Sequence, residues 1–509
     1  MADQEYTYGR ANRAWVVGIV SLLIVGASLG LALFFGAQES VDDSGATLEV
    51  FCAAGIRPPV AELADQYERE FGVDVRLHYD SSGGLLSQLE LNPKGDLYIP
   101  ADDLYIERAR SKNLVAEALP IARFRLVLAV KPGNPKNITS LDDLLADGVN
   151  YVICNEQAGV GNKTMKLLQK ANRWDEIVAK VKVRMPTVPQ AADAVATSNG
   201  LDAAFVWDST AKQYDLDVVT LTEFDEGVAD IHVGVLTSTK QSALALRFAR
   251  YLSAPEKGVV TFAVHKYEPV PGDAWTPTPE IVIFAGGVNR NAVSRTIAEF
   301  EEREGCRVNT NYDGCGTLVG KIESSPLKPD TFLTCESSYM KMVQGLFLEP
   351  KDVSQTPIVL LVRSDSDKQI RTLQDLTQEG ISVGITNPKA SALGKLSIDL
   401  LQEAGLWDKV ERNVRVESPT AHELVLKVEG HDKLDVALVY AANCQNLSPG
   451  LTTVPIDHPR AKAVQNIAPG RNTKYPQLVE RLIETILSNR SADRFESQGF
   501  DWLAPPNGA

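Results

Sequence analysis

The chain repeats itself. Displaced by 233 positions, LEVFCAAGIRPPVAELADQYEREFGVDVRLHYDSSGGLLSQLE meets IVIFAGGVNRNAVSRTIAEFEEREGCRVNTNYDGCGTLVGKIE. Phe51 then faces Phe284, Gly72 Gly305, Tyr79 Tyr312, Asp80 Asp313 and Gly83 Gly316. The register holds to within a residue as far as Asp96 and Asp330, Tyr105 and Tyr339, Asn155 and Asn387, Trp174 and Trp407, and Asp202 and Asp435. A period this long marks a duplicated domain, because solenoid repeats run only about 20 to 50 residues. The total of 509 residues also exceeds what one hydrophobic core holds. We therefore expect one module at 46–270, a Pro-rich, semi-rigid linker at 271–279 and a second module at 280–505.

Within each copy, short apolar runs alternate with amphipathic stretches. In the first, TLEVFCAA and VDVRLHYD read as strands, and RPPVAELADQYEREFG and GGLLSQLELN as helices, the latter starting near Leu85. That order predicts an α/β fold with a mainly parallel sheet, whose ligands sit where strands turn into helices. Two further runs per copy read as crossings between two lobes. They are RFRLVLAVKPGNP with DIHVGVLTST, and TPIVLLVRSDSD with AVQNIAPGR.

Residues 14–36 carry no charge and suffice to cross a hydrocarbon layer of ~30 Å as a helix. Arg10 and Arg13 precede them, and Glu39, Asp42 and Asp43 follow. The positive-inside rule thus leaves residues 1–13 in the cytoplasm and exports both modules across a bacterial inner membrane. The apolar run is longer than a signal-peptide core, and Phe35 is bulky for a cleavage site, so retention as a single-pass anchor is the expectation. A net charge of −15 argues against a nucleic-acid surface but says nothing about a small anion, which neutral donors at helix N-termini can hold.

The ordered set VFCAAG, YEREFGV, YDSSGGLLSQLE, GDLYIPADDLY, RLVLAVKPGNP, SLDDLL and DAAFVWDSTA resembles the molybdate-binding subgroup of type II periplasmic binding proteins, over residues 47–270 and 280–503. The resemblance implies two lobes per module, joined by hinge strands, around an oxyanion such as molybdate or tungstate. Serine hydroxyls, backbone N–H groups and one tyrosine hydroxyl would hold that ion without a cation. It also implies an ABC permease and ATPase as partners. By position, the first module would offer Gly55, Ser81, Ser82, Val160, Val188 and Trp207, and the second Val288, Cys315, Leu393, Ala421 and Tyr440. The first-turn serine of the family is absent from both copies, and its tyrosine becomes Trp207 in the first. Each lost hydroxyl removes about 1.5 to 3 kcal/mol of hydrogen bonding to a charged ligand.

Alternative roles stand beside these. Ser82 either meets ligand or caps its helix. Trp207 and Tyr440 either face the cleft or close the core. Cys52, Cys154, Cys315 and Cys335 are buried thiols, soft-metal ligands or, for Cys315 with Cys335, a disulfide. AGVGNKT and GCGTLVG miss the spacings of nucleotide-binding loops, and the six histidines form no HExxH motif. With no acid, base or nucleophile set, a binding protein without cofactor or metal is expected rather than an enzyme. A membrane-tethered sensor with one or both clefts degenerate is the alternative to delivery for transport.

Overall fold

The computed structural model describes residues 44–505 except 327, 365–367, 431–433 and 446. The apolar segment 14–36 lies outside the described residues. Among those described, no helix is long and apolar enough to cross a membrane.

The first copy builds β1 (Thr47–Ala53), β2 (Asp74–Asp80), β3 (Leu97–Ile99), β4 (Val115–Val130), β5 (Tyr151–Cys154), β6 (Val183–Met185), β7 (Ala203–Trp207), β8 (Asp217–Val219), β9 (Val228–Leu236) and β10 (Glu268–Pro269). The second builds β11 (Glu280–Gly286), β12 (Arg307–Asp313), β13 (Thr331–Leu333), β14 (Lys351–Arg363), β15 (Val383–Thr386), β16 (Val414–Ser418), β17 (Val436–Tyr440), β18 (Leu451–Pro455), β19 (Lys462–Pro469) and β20 (Asp501–Trp502). Strand order is β2-β1-β3-β9-β4-β7-β5-β6 in one module and β12-β11-β13-β19-β14-β17-β15-β16 in the other. Central strands such as YVIC and AAFVW are buried at every position, as expected for parallel strands covered by helices on both faces.

Local chemistry is repeated along with topology. The helices Arg57–Phe71 and Arg290–Glu304 both end on a left-handed glycine, Gly72 at φ 68° and Gly305 at φ 61°, a conformation glycine adopts without steric cost. Asp96 accepts the Glu49 N–H at 2.9 Å, and Asp330 accepts the Val282 N–H at 2.8 Å. Asp202 and Asp435 likewise each accept one N–H, from Asn150 and Ser382, at 2.8 Å. These paired aspartates fasten strands and loops.

β4 passes through both lobes. It pairs with β9 as far as Arg125 and with β7 from Leu126 onward. The return is not the strand crossing read from DIHVGVLTST, because β9 lies wholly within the first lobe. The chain comes back through the turn before Val228, where Leu126 N–H bonds the Gly227 carbonyl at 2.8 Å. In the second module Ile358 N–H makes the matching bond to Ala461 at 2.8 Å.

The first lobes of the two modules pack together. Glu304, fully buried, receives Arg481 through two bonds of 2.9 and 2.8 Å, and its backbone carbonyl receives Arg250 at 2.9 Å. Residues between the two repeats join this seam. Asp273 caps the helix Pro476–Ile486 through the N–H groups of Gln477 and Leu478, and Trp275 meets Tyr251 edge-on at 4.9 Å. A seam of this kind holds the two first lobes together.

Candidate functional site

In the first module, the turns after β1, β2, β5, β6 and β7 meet at a cavity of about 20 Å³. Gly55, Ser81, Ser82, Val160, Val188 and Trp207 all line it, together with Ala101, Ala158, Thr187 and Asp80. Three helices begin there, Ser82–Leu91 from the first lobe and Gly159–Lys170 and Val188–Thr197 from the second. The first N–H groups of a helix have no partner inside it, and the helix dipole makes that end positive. Among the described residues, no Lys or Arg lines the cavity. Its one carboxylate, Asp80, accepts the Ser81 N–H at 2.6 Å and the Gln88 amide at 3.2 Å.

The two serines divide their work differently from the sequence expectation. The helix starts at Ser82, not near Leu85, and Ser81 caps it by accepting the Gly84 N–H at 3.1 Å. Ser82, 1% exposed, instead accepts the Ala101 N–H at 3.0 Å, which ties the helix start to the end of β3. Trp207 is both core and wall: its ring stacks on Phe124 at 4.4 Å while its indole N–H has no partner among the described residues. A side chain at Gly55 would begin 2.6 Å from Val188, so the lobes are shut over this position.

Contacts missed in the sequence cross the cleft. Gly83 N–H bonds the Gln157 carbonyl at 2.7 Å, and the Tyr105 hydroxyl donates to the carbonyls of Glu156 and Gln157 at 3.1 Å. Lys163 meets Asp102 at 3.0 Å. Burial raises the Asp102 carboxyl above its ordinary value, against the opposing pull of Lys163. Asp102 opens the helix Asp103–Ser111, and its partner lies on the other lobe.

The second module differs at the same place. Cys315 and Cys335 form a disulfide, while Cys52, Cys154, Cys306 and Cys444 are free. Among the described residues no cluster of three or more His, Cys, Asp or Glu is placed to hold a metal ion. A cleft of about 800 Å³ is lined by Val288, Ala421 and Tyr440 together with Arg290, Asn443 and His422. Cys315 and Leu393 are fully buried and do not line it. The lobes touch along one edge, where Thr317 N–H bonds the Ala390 carbonyl at 3.3 Å. The Tyr440 hydroxyl is buried without a partner, and burial, then Glu336 and Tyr339, hold it well above the usual phenol value, so it remains a donor.

A family model described as bacterial extracellular solute-binding protein matches residues 48–258 and again 281–501. The chain belongs to that family, twice over. Relatives of this solute-binding tandem include the molybdate-binding protein ModA of Mycobacterium tuberculosis, 26% identical over 253 residues, covering 47% of this chain and 91% of that protein. The molybdate-binding protein ModA of Escherichia coli is 29% identical over 167 residues, covering 31% of this chain and 63% of its own length. Among solved structures, the periplasmic molybdate-binding protein of Azotobacter vinelandii is similar at 20% identity and a TM-score of 0.38, covering 43% of this chain and 98% of that one. The fold is the type II binding-protein fold, present as two tandem modules. The family and these relatives are described by solute and molybdate binding, which points away from catalysis.

Proposed function

We propose that the first module captures a small tetrahedral oxyanion of the molybdate or tungstate type between its lobes and delivers it to an ABC permease and its ATPase. The observation that carries this is the meeting of three helix N-termini, from both lobes, at a cavity with no cationic side chain. Such an arrangement offers neutral N–H donors and helix dipoles to an anion. The site would use Ser82, the N–H groups around Gly55, Val160 and Val188, and the free indole N–H of Trp207 in place of the family's tyrosine. A cavity of about 20 Å³ holds about one water, so the lobes must part at the hinge near Leu126 to admit an anion and shut again around it.

In this account residues 14–36 anchor the protein with residues 1–13 in the cytoplasm, and modules 46–270 and 280–505, joined by 271–279, face outward. The second module, with Tyr440, Val288 and Ala421 around a wider cleft, takes a different ligand from the first. A second reading, a tethered sensor with degenerate clefts, is favoured by one observation: the disulfide occupies the place of the ligand serine in that module.

Calorimetric melting of the full chain with molybdate, tungstate, sulfate and phosphate tests the proposal, repeated with Ser82→Ala and Tyr440→Phe. The expected result is a rise in the first module's melting temperature with molybdate or tungstate that Ser82→Ala diminishes and Tyr440→Phe does not. No rise with any of the four supports the sensor instead.

A further inference from the structure

We propose that the Asp102–Lys163 ion pair is the determinant of closure in the first module, docking the Gly159 helix of the second lobe onto the Ala101–Asp102 turn of the first. The inference rests on the two-lobe architecture and not on which solute enters.

Asp102 caps the helix Asp103–Ser111 with one oxygen, accepting the Leu104 N–H at 3.0 Å, and gives the other to Lys163. Its side chain is 4% exposed, and that of Lys163 is 21% exposed. The remaining contacts of this edge are neutral: Gly83 and Tyr105 reach the carbonyls of residues 156 and 157, and a side chain at Gly83 would begin 2.8 Å from the Gln157 carbonyl oxygen. Losing one neutral hydrogen bond costs little. Removing one member of a buried ion pair leaves a charge without solvent, which costs far more than the intact pair contributes. Opening the lobes rehydrates Asp102, so loss of Lys163 penalises the closed state specifically.

The second module supplies an internal comparison. Asp102 corresponds there to Glu336, which accepts the Ser338 N–H at 2.9 Å, and Lys163 corresponds to Leu396. Leu396 carries no charge to offer Glu336, and the lobes of that module meet at this edge through a neutral bond, Thr317 N–H to the Ala390 carbonyl at 3.3 Å.

Hydrogen exchange on the full chain without ligand reads closure directly, because the Gly83 N–H is bonded across the cleft. Lys163→Met is expected to speed exchange at Gly83 by about tenfold or more. Asp102→Asn combined with Lys163→Met removes both charges while Asn keeps the helix cap, and is expected to return exchange to within about threefold of the native rate. Exchange at Glu49, whose N–H is held inside the first lobe by Asp96, and at Thr317 in the second module should stay unchanged in both variants. Native-like exchange at Gly83 in Lys163→Met, no recovery in the double variant, or a parallel rise at Glu49 or Thr317 would each overturn the proposal. Failure of every oxyanion to bind would leave it standing.

Discussion

Cys315 and Cys335 are joined by a disulfide at the point where, in the first module, the Ser82 hydroxyl accepts the Ala101 N–H across 3.0 Å. Both links tie the start of a helix to the end of the short strand beside it. The first leaves a hydroxyl at the cleft wall, and the second replaces it with a covalent staple whose Cys335 end lines the cleft.

The staple closes a loop with a sequence separation of 20. A loop of that size contributes about 3 kcal/mol in the chain-entropy account. Cys315→Ser is therefore expected to lower the second module's melting temperature by roughly 6 to 12 °C, with the first module's transition far less affected. Calorimetry under oxidising and reducing conditions checks this, since reductant should lower the native protein to the level of the variant and leave the variant unmoved.

Ser82→Ala strands the buried Ala101 N–H. Leaving such a donor unsatisfied costs about 1 to 3 kcal/mol. The variant should thus melt earlier even without ligand, and chemical denaturation should show a lower midpoint at an unchanged slope.

Glu304 makes the seam between modules sensitive to acid. Burial would raise its carboxyl, but Arg481, then Arg250 and Arg303, overcome that and hold it below its ordinary value. A depressed folded-state value means that its stabilisation is complete above the unfolded value of 4.5 and is lost as pH falls below it. Melting of the native protein should accordingly fall more steeply below about pH 4.5 than that of Glu304→Gln. At neutral pH the variant, which leaves Arg250 and Arg481 without their counter-charge, should be less stable by about 3 to 5 kcal/mol.

The repeat made the topology readable, because two copies that keep register over a whole module must share a sheet order. The six expected cleft residues of the first module converge because turns after parallel strands gather at one edge of the sheet. Other features were hidden for physical reasons. Lys163 and Asp102 lie 61 positions apart on different lobes, and nothing local marks an ion pair that forms only on closure. Glu304 sits in the run EEREG, which reads as a solvated helix face, and it is buried between Arg481 of its own module and Arg250 of the first. Cys315 failed to line the second cleft because its sulfur turns back to Cys335. The paired aspartates were visible as matches, but their role in fastening strands required the backbone partners.

Isothermal titration of the full chain with molybdate tests the central claim most directly. The account predicts one site per chain, weakened about tenfold to a hundredfold by Ser82→Ala and unchanged by Tyr440→Phe. Absence of heat, or binding indifferent to Ser82 and abolished by Tyr440→Phe, would contradict it.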